Sequence, residues 1–287
     1  MEKEFETALE ELQGIKVTDQ KSAEHYNSVF KRMVSASMQI CGSTDYDSLV
    51  QEKTAAAEKK YGVKVEFSEE ATDAYKKLRE LVRFEMYREA LLNNQEREVC
   101  CTESNFAKAT AMIRGELDAI VPENQKEVLD SMCYSLYSDF TKYFVCATFD
   151  MIADAKIYGM KEFRPLQLNA LGKEVRTNVN VIHQQNGKPQ KSQTVSNWFR
   201  TVMILPGILF RKLYGVSMVE MFEVSQKLAD DAAHMYNVFE KSYQSFCAGD
   251  EYEILKDFLW ELGLNECFTV RPKTTAPADK AGKPVMN

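Results

Sequence analysis

The stretch MCYSLYSDFTKYFVCATFDMIADAKI, residues 132–157, has a helical pattern that is apolar on nearly every side, and it decides the fold class. Its aromatic side chains are Tyr134, Tyr137, Phe140, Tyr143, Phe144 and Phe149. A helix that is hydrophobic all round is usually buried inside its domain. We therefore predict that this stretch belongs to the central helix of a core. That helix is expected to begin near Pro122, since proline is favoured in the first turn of a helix.

Helical periodicity continues on both sides of this segment. We predict further helices at about 2–12, 19–40, 45–60, 69–94, 102–117, 196–215, 217–246 and 251–262. Pro206 is expected to interrupt one of them, and Ser217 with Glu220 forms a capping box that is expected to open the next. VKVEF (63–67) and REVCC (97–101) are predicted to be short strands. The fold class is therefore mostly α.

The stretch NVNVIHQQNGKPQKSQTV, residues 178–195, departs from this helical pattern. From Val175 to His183, Val and Thr recur at every second position, which is typical of a strand. Asn186-Gly187 is the preferred pair of a type I′ hairpin turn. We predict a helical N-terminal lobe (1–157), a basic linker with a β-hairpin (158–195), a helical C-terminal lobe (196–265) and a flexible C-terminal arm (266–287).

Charge is distributed unevenly along the chain. The formal net charge is −7, but residues 156–215 contain ten basic and two acidic residues, a net charge of +8. A local basic excess of this kind is typical of a surface that meets a polyanion. The alternative is that surface lysines serve solubility and protect a strand edge. The candidate nucleic-acid contacts are Lys173, Arg176, Lys188, Lys191, Trp198, Arg200, Arg211 and Lys212; Trp198 is either a base-stacking residue or a helix anchor.

No catalytic signature accompanies these features. The chain contains no GxGxxG, Walker, HExxH or GxSxG motif. Asp231 and His234 have a helical spacing that could present two metal ligands, but neither His25 nor His183 supplies a matching second motif. The seven cysteines lack zinc-type spacing and suggest reduced thiols. We therefore expect no cofactor, no metal and no enzymatic activity.

One segment is similar in element order to a known family. Helix 45–60, VKVEF, helix 69–94, REVCC and helix 102–113 follow one another in the order of a histone-fold unit. Arg97 and Glu103 keep the spacing of the family's arginine–carboxylate clamp, with Glu where Asp is usual. Glu66 and Glu98 depart from the family's phosphate-contacting loops. The resemblance, which covers residues 45–113 only, implies pairing with another such unit, and it makes DNA a candidate partner.

Taken together, these patterns favour a non-enzymatic structural or assembly protein that associates with nucleic acid through a central basic strip, as nucleocapsid and coat proteins do. Two alternatives stay open: a protein-interaction subunit that clasps its neighbours with hairpin and arm, and a histone-fold-type DNA-associated factor. Expected partners are further copies or other protein subunits, and RNA or DNA. No apolar run approaches the ~18 residues that span a bilayer and no leader is visible, so we expect a cytoplasmic or otherwise intracellular, non-secreted protein without membrane contact.

Overall fold

The computed structural model describes residues 1–188 and 190–273, except for the side chains of residues 124 and 125. Its helices are α1 (Glu2–Gly14), α2 (Gln20–Ser43), α3 (Tyr46–Tyr61), α4 (Ala74–Leu92), α5 (Glu103–Ile120), α6 (Leu129–Tyr158), α7 (Arg164–Gln185), α8 (Gln193–Tyr214), α9 (Gln226–Gln244) and α10 (Glu251–Glu261). Its strands are β1 (Arg97–Cys100) and β2 (Thr269–Pro272). The predicted mostly-α fold class is confirmed.

The chain forms two compact units, each assembled from three separate stretches. Unit 1 comprises residues 1–85, 153–181 and 206–223, and unit 2 comprises residues 86–152, 182–205 and 224–287. Because each unit takes residues from both sides of the predicted linker, neither unit coincides with a predicted consecutive lobe. Each unit has a core of its own.

The core of unit 1 is built by apolar side chains at helical spacing on α3 and α4. Tyr75, Leu78 and Val82 of α4 pack with Tyr46 and Val50 of α3. The C-terminal turn of α6 and the turn before α7 contribute Ala153, Ile157 and Phe163 to the same cluster. Each buried side chain of this size contributes about 1.5–3 kcal/mol relative to exposure, so this cluster is a main source of unit 1 stability.

The core of unit 2 is centred on α6, as the aromatic stretch predicts. Phe140 and Phe144 stack with their ring centroids 5.5 Å apart. Phe258 of α10 lies 6.5 Å from Phe144 and 6.4 Å from Phe239 of α9. Phe144 of α6 therefore packs against α10, which in turn packs against α9. The expected central helix is buried at Phe140 and Phe144 but not on every side, because Tyr134 is 52% exposed.

The predicted β-hairpin at 158–195 is wrong, because residues 164–185 form helix α7. The buried aliphatic side chains of α7 include Leu168, Leu171, Val175, Val179 and Ile182, at spacings of three and four that follow the helical period. Gly187 has a φ of +74° and ends the helix, with the Asn186 N–H donating to the Ile182 carbonyl. Asn-Gly suits a left-handed helix end as well as it suits a type I′ turn, so the dipeptide does not discriminate between them.

Three smaller expectations also differ from the structure. Residues 63–67 form no strand; the Val65 N–H instead donates to the Glu58 carboxylate at 3.0 Å. Pro206 does not interrupt α8, which runs unbroken from Gln193 to Tyr214. Ser217 bonds to Glu220 at 2.6 Å, but only a short 3₁₀ turn follows, because Glu223 is left-handed with a φ of 49°. Helix α9 begins after its own cap, Ser225.

The first part of the predicted C-terminal arm is packed rather than flexible. Residues 269–272 form β2, which pairs antiparallel with β1 and confirms the extended structure expected for REVCC. Cys267 and Phe268, just before this strand, are buried, with the Phe268 ring 5.3 Å from that of Tyr137. These two side chains bury enough apolar area to dock the segment. The remainder of the arm, 274–287, lies outside the described residues.

Candidate polyanion-binding surface

Two of the predicted contacts lie on the exposed side of α7 in unit 1. Because Leu171 and Val175 face inward, Lys173 and Arg176 point to solvent. The Arg176 Nη1 atom lies 3.7 Å from the point where a Cβ on Gly172 would stand, and the Phe210 ring of α8 lies 3.5 Å from the same point. Both distances are ordinary van der Waals contacts, so the Phe210 ring of α8 packs close to the Arg176 guanidinium of α7.

Arg211 and Lys212 end α8 in the same unit, directly after Phe210. Both are exposed, and both complement the negative end of the helix dipole. The hydrogen bond from Ser217 and the nearby Arg211 charge lower the pKa of Glu220. The Arg211 charge is thus partly compensated within unit 1, which makes Lys173 and Arg176 the stronger candidates there.

In unit 2, Lys188 and Lys191 are exposed on the loop that joins α7 to α8. The side-chain amide of Gln190 donates to the Gln185 and Lys188 carbonyls at 3.0 and 3.1 Å. At the far end of the loop, Glu116 of α5 accepts hydrogen bonds from the Thr194 hydroxyl at 2.7 Å and the Thr194 N–H at 3.2 Å. The described residues on both sides of position 189 are therefore held by hydrogen bonds near Lys188 and at the start of α8.

Glu116 also fills the anion-binding position at the start of α8. Burial raises the pKa of Glu116, but hydrogen bonds from Ser192 and Thr194 outweigh burial and lower it. Because this carboxylate already satisfies the first N–H groups of the helix, the N-terminus of α8 is not open to an external phosphate. Contact with a polyanion in this region depends on the lysine side chains alone.

Trp198 is not available for base stacking. Its ring is 7% exposed and packs against Phe140 with centroids 5.4 Å apart. The neighbouring Phe199 lies 5.3 Å from both Phe140 and Tyr143. Trp198 is therefore an anchor of α8 in the core of unit 2, and its assignment as a nucleic-acid contact is corrected. Arg200, two residues on, is half-buried.

The two acidic residues of the basic stretch are engaged by cations that sequence reasoning missed, one of which, Arg79, is shared with Asp154. Lys53 of α3 binds Glu162 at 3.0 Å, and Arg79 of α4 binds Glu174 at 2.8 Å. Within residues 1–188 and 190–273, no carboxylate lies within 4.0 Å of the side-chain nitrogens of Lys173, Arg176, Lys188, Lys191 or Arg211. No sequence signal connects Arg79 with Glu174, because they are 95 positions apart.

The structure divides the candidate contacts between the two units. Unit 1 contains Lys173, Arg176, Arg211 and Lys212, and unit 2 contains Lys188, Lys191, Trp198 and Arg200. The sequence predicts one basic linker, whereas the structure distributes these residues over α7, α8 and the loop between them, in two units. Each group has to be tested by itself.

Other candidate sites find ordinary structural partners. The His234 Nε2 atom lies 2.9 Å from Glu261, in a pair whose histidine is exposed. Across the part of the chain that the structure describes, no three His, Cys, Asp or Glu side chains are grouped so that they could hold a metal ion. Arg97 pairs with Glu253 of α10.

Comparison with known proteins gives no relative: no family model, no curated protein and no solved structure matches this chain. Among the helices of residues 1–188 and 190–273, every one is too short or too polar to cross a membrane. The function of the chain therefore has to be inferred from its charges and contacts.

Proposed function

We propose that this chain is a non-enzymatic assembly protein that binds nucleic acid as a polyanion through exposed basic residues of α7, α8 and the loop between them. The observation that supports this is the unpaired state of Lys173, Arg176, Lys188 and Lys191 among the described residues, beside acidic residues that are already engaged. Exposed cations that are not matched by local carboxylates attract a phosphate backbone and release its counterions.

The two basic groups are expected to act through charge rather than base readout. With Trp198 buried, neither group includes an exposed aromatic ring from the predicted contact set. Binding without stacking or groove contacts carries little sequence information. We therefore expect weak sequence preference, strong salt dependence and similar affinity for different single strands of equal length.

The test is fluorescence anisotropy with labelled single-stranded RNA and duplex DNA over a series of salt concentrations. One variant carries Lys173→Ala and Arg176→Ala, and a second carries Lys188→Ala and Lys191→Ala. For every phosphate that a variant no longer neutralises, the plot of log K against log salt should flatten by about 0.7–0.9 unit. Neither variant changes a buried side chain, so the fold should be preserved.

Matched controls remove the same charge from elsewhere in each unit. Lys59→Ala with Lys64→Ala serves unit 1, and Lys227→Ala with Lys241→Ala serves unit 2; all four lysines are exposed. The proposal requires both control pairs to keep the parent salt slope. Equal weakening in controls and test variants would mean that only net charge matters, and absence of parent binding at low salt would reject the function. Binding of an acidic protein, but of no nucleic acid, would favour the protein-interaction alternative.

A further inference from the structure

Among the residues that the structure describes, β1 has a strand partner on one edge only. The Lys273 N–H donates to the Glu96 carbonyl at 3.0 Å, and the register pairs Glu98 with Arg271 and Cys100 with Thr269. In an antiparallel ladder, residues that exchange hydrogen bonds alternate with residues whose N–H and C=O point away. The backbone groups of Arg97 and Val99 therefore point away from β2. Within the described residues they have no hydrogen-bond partner.

The two outer edges of this small sheet are not equivalent. On β2 the outward residues are Val270 and Pro272, and proline has no N–H to offer. A proline on an edge strand is a common protection against further strand pairing. The edge of β1 contains no proline in residues 97–100 and offers successive donors and acceptors at Arg97 and Val99. Unpaired backbone groups of this kind favour the addition of another strand.

We propose that β1 pairs antiparallel with β1 of a second copy of this chain, around a two-fold axis at Val99, to form a continuous four-stranded sheet. The strand is self-complementary in this register. Val99 lies opposite Val99, and Arg97 opposite Cys101, so no like charges meet. An axis at Arg97 would oppose two guanidinium groups. An axis at Glu98 would place two carboxylates directly opposite each other, which is unfavourable.

Physical considerations also favour a sheet larger than the one described. An isolated two-stranded sheet is marginal in water and is stabilised by further strands or by packing against a helix. Phe268, the residue before β2, already packs against Tyr137 of α6 in the core of unit 2. Pairing with a second copy would satisfy the outward groups without displacing that packing. The interface is small, so the self-association is weak and depends on protein concentration.

The pairing of β1 rests on the proposed function as an assembly protein, and it names the surface through which two copies associate. The two can fail separately. Salt-dependent binding of nucleic acid reports on α7 and α8, whereas concentration-dependent mass in the absence of nucleic acid reports on β1. A chain that binds RNA but stays monomeric would overturn only the inference about β1, and a chain that dimerises but binds no polyanion would overturn only the polyanion binding.

The test uses two matched substitutions in the full chain, Val99→Pro and Val270→Pro. Val99 and Val270 are partners in the ladder, and both are half-buried. Each substitution removes one outward N–H and no hydrogen bond between β1 and β2. Sedimentation equilibrium over a concentration series should show a monomer–dimer equilibrium for the parent and for Val270→Pro. For Val99→Pro the dissociation constant should rise about tenfold or more.

Hydrogen exchange on the unaltered parent keeps the test valid if a proline variant misfolds. Protection of the Arg97 and Val99 amides should rise as the protein concentration rises, and that of Val270 should not. A parent that is monomeric at all concentrations would overturn the proposal. So would equal weakening by both prolines, weakening by Val270→Pro alone, or full protection of Val99 in the monomer, which would mean that another part of the same chain covers this edge.

Discussion

Replacing Arg79 should destabilise unit 1 far more than replacing an exposed arginine. Arg79 donates to both carboxylate oxygens of Asp154, from Nε at 2.9 Å and from Nη2 at 2.7 Å, and Nη2 also donates to Glu174 at 2.8 Å. The Asp154 side chain is 3% exposed. Arg79→Met keeps most of the apolar stem but removes the charge, so it leaves Asp154 as a buried carboxylate without its cation.

The expected destabilisation follows from the partners that remain. Tyr75 still donates to Asp154 at 2.5 Å, and Gln167 still binds the Asp154 carbonyl at 2.7 Å. Removing one partner of a buried ion pair typically costs about 3–5 kcal/mol, because the other charge is left uncompensated. Tyr75→Phe removes one neutral donor to a charged acceptor, so a smaller destabilisation of about 1.5–3 kcal/mol is expected.

The assay is urea unfolding followed by circular dichroism, with Arg32→Met as the matched control. Arg32 pairs with Glu11, but its side chain is 44% exposed. An exposed pair contributes about 0–1 kcal/mol, so the control midpoint should stay close to that of the parent. If Arg79→Met shifts the midpoint no more than Arg32→Met does, the Arg79–Asp154 pair is not an important source of stability. A double-mutant cycle with Asp154→Leu then separates the pair energy from the cost of the orphaned charge.

Two further predictions concern α7 and α8. Gly187→Ala should destabilise by about 1 kcal/mol, because it places a Cβ on a left-handed residue, whereas Gly115→Ala in the exposed interior of α5 should stabilise by about 0.5–1 kcal/mol; chemical denaturation of both variants checks the opposite signs. The folded state lowers the pKa of Glu116, so its contribution is present above the unfolded pKa and is lost as the pH falls through the lower, folded pKa. Glu116→Gln should therefore lower stability at pH 7 and reduce the acid-induced destabilisation, which unfolding midpoints from pH 7 to pH 3 would measure; an unchanged pH profile would contradict this.

Long helices can be predicted from the sequence because many side chains report the same period. The aromatic run of α6 repeats the helical period over several turns. The polar or glycine caps of α2, α3 and α5 mark where those helices begin or end. The predicted ends of these four helices lie within about three residues of those in the structure, except the start of α6, which is predicted near Pro122 and lies at Leu129, after a 3₁₀ turn over Glu123–Val128. The sequence also predicts an extended REVCC, although its partner strand, β2, lies in the segment that the sequence presents as a free arm.

The region of α7 shows why the rest could not be predicted. Val175, Val179 and Ile182 follow the helical period, but Val175, Thr177, Val179 and Val181 follow the strand period equally well. Asn186-Gly187 then ends either element. The choice is made by burial: Leu168 and Leu171 extend the helical stripe in the N-terminal direction, and a strand would have placed those two side chains on opposite faces. A wider window that included residues 164–174 contains the deciding signal.

The order of charged residues along the sequence does not show which of their side chains are free to contact a binding partner. Glu174 lies between Lys173 and Arg176, so the sequence suggests that it neutralises one of them. In the structure the Glu174 carboxylate is bound by Arg79 of α4, and Lys173 and Arg176 are exposed to solvent. Trp198, which the sequence places beside Arg200 as a stacking residue, is held in the core by Phe140. Whether a charged or aromatic side chain can contact a partner is thus decided by tertiary neighbours that are distant in the sequence. The local sequence pattern does not identify those neighbours. The proposed function therefore depends on Lys173 and Arg176 of α7 and on Lys188 and Lys191 of the loop, rather than on the net charge of the segment.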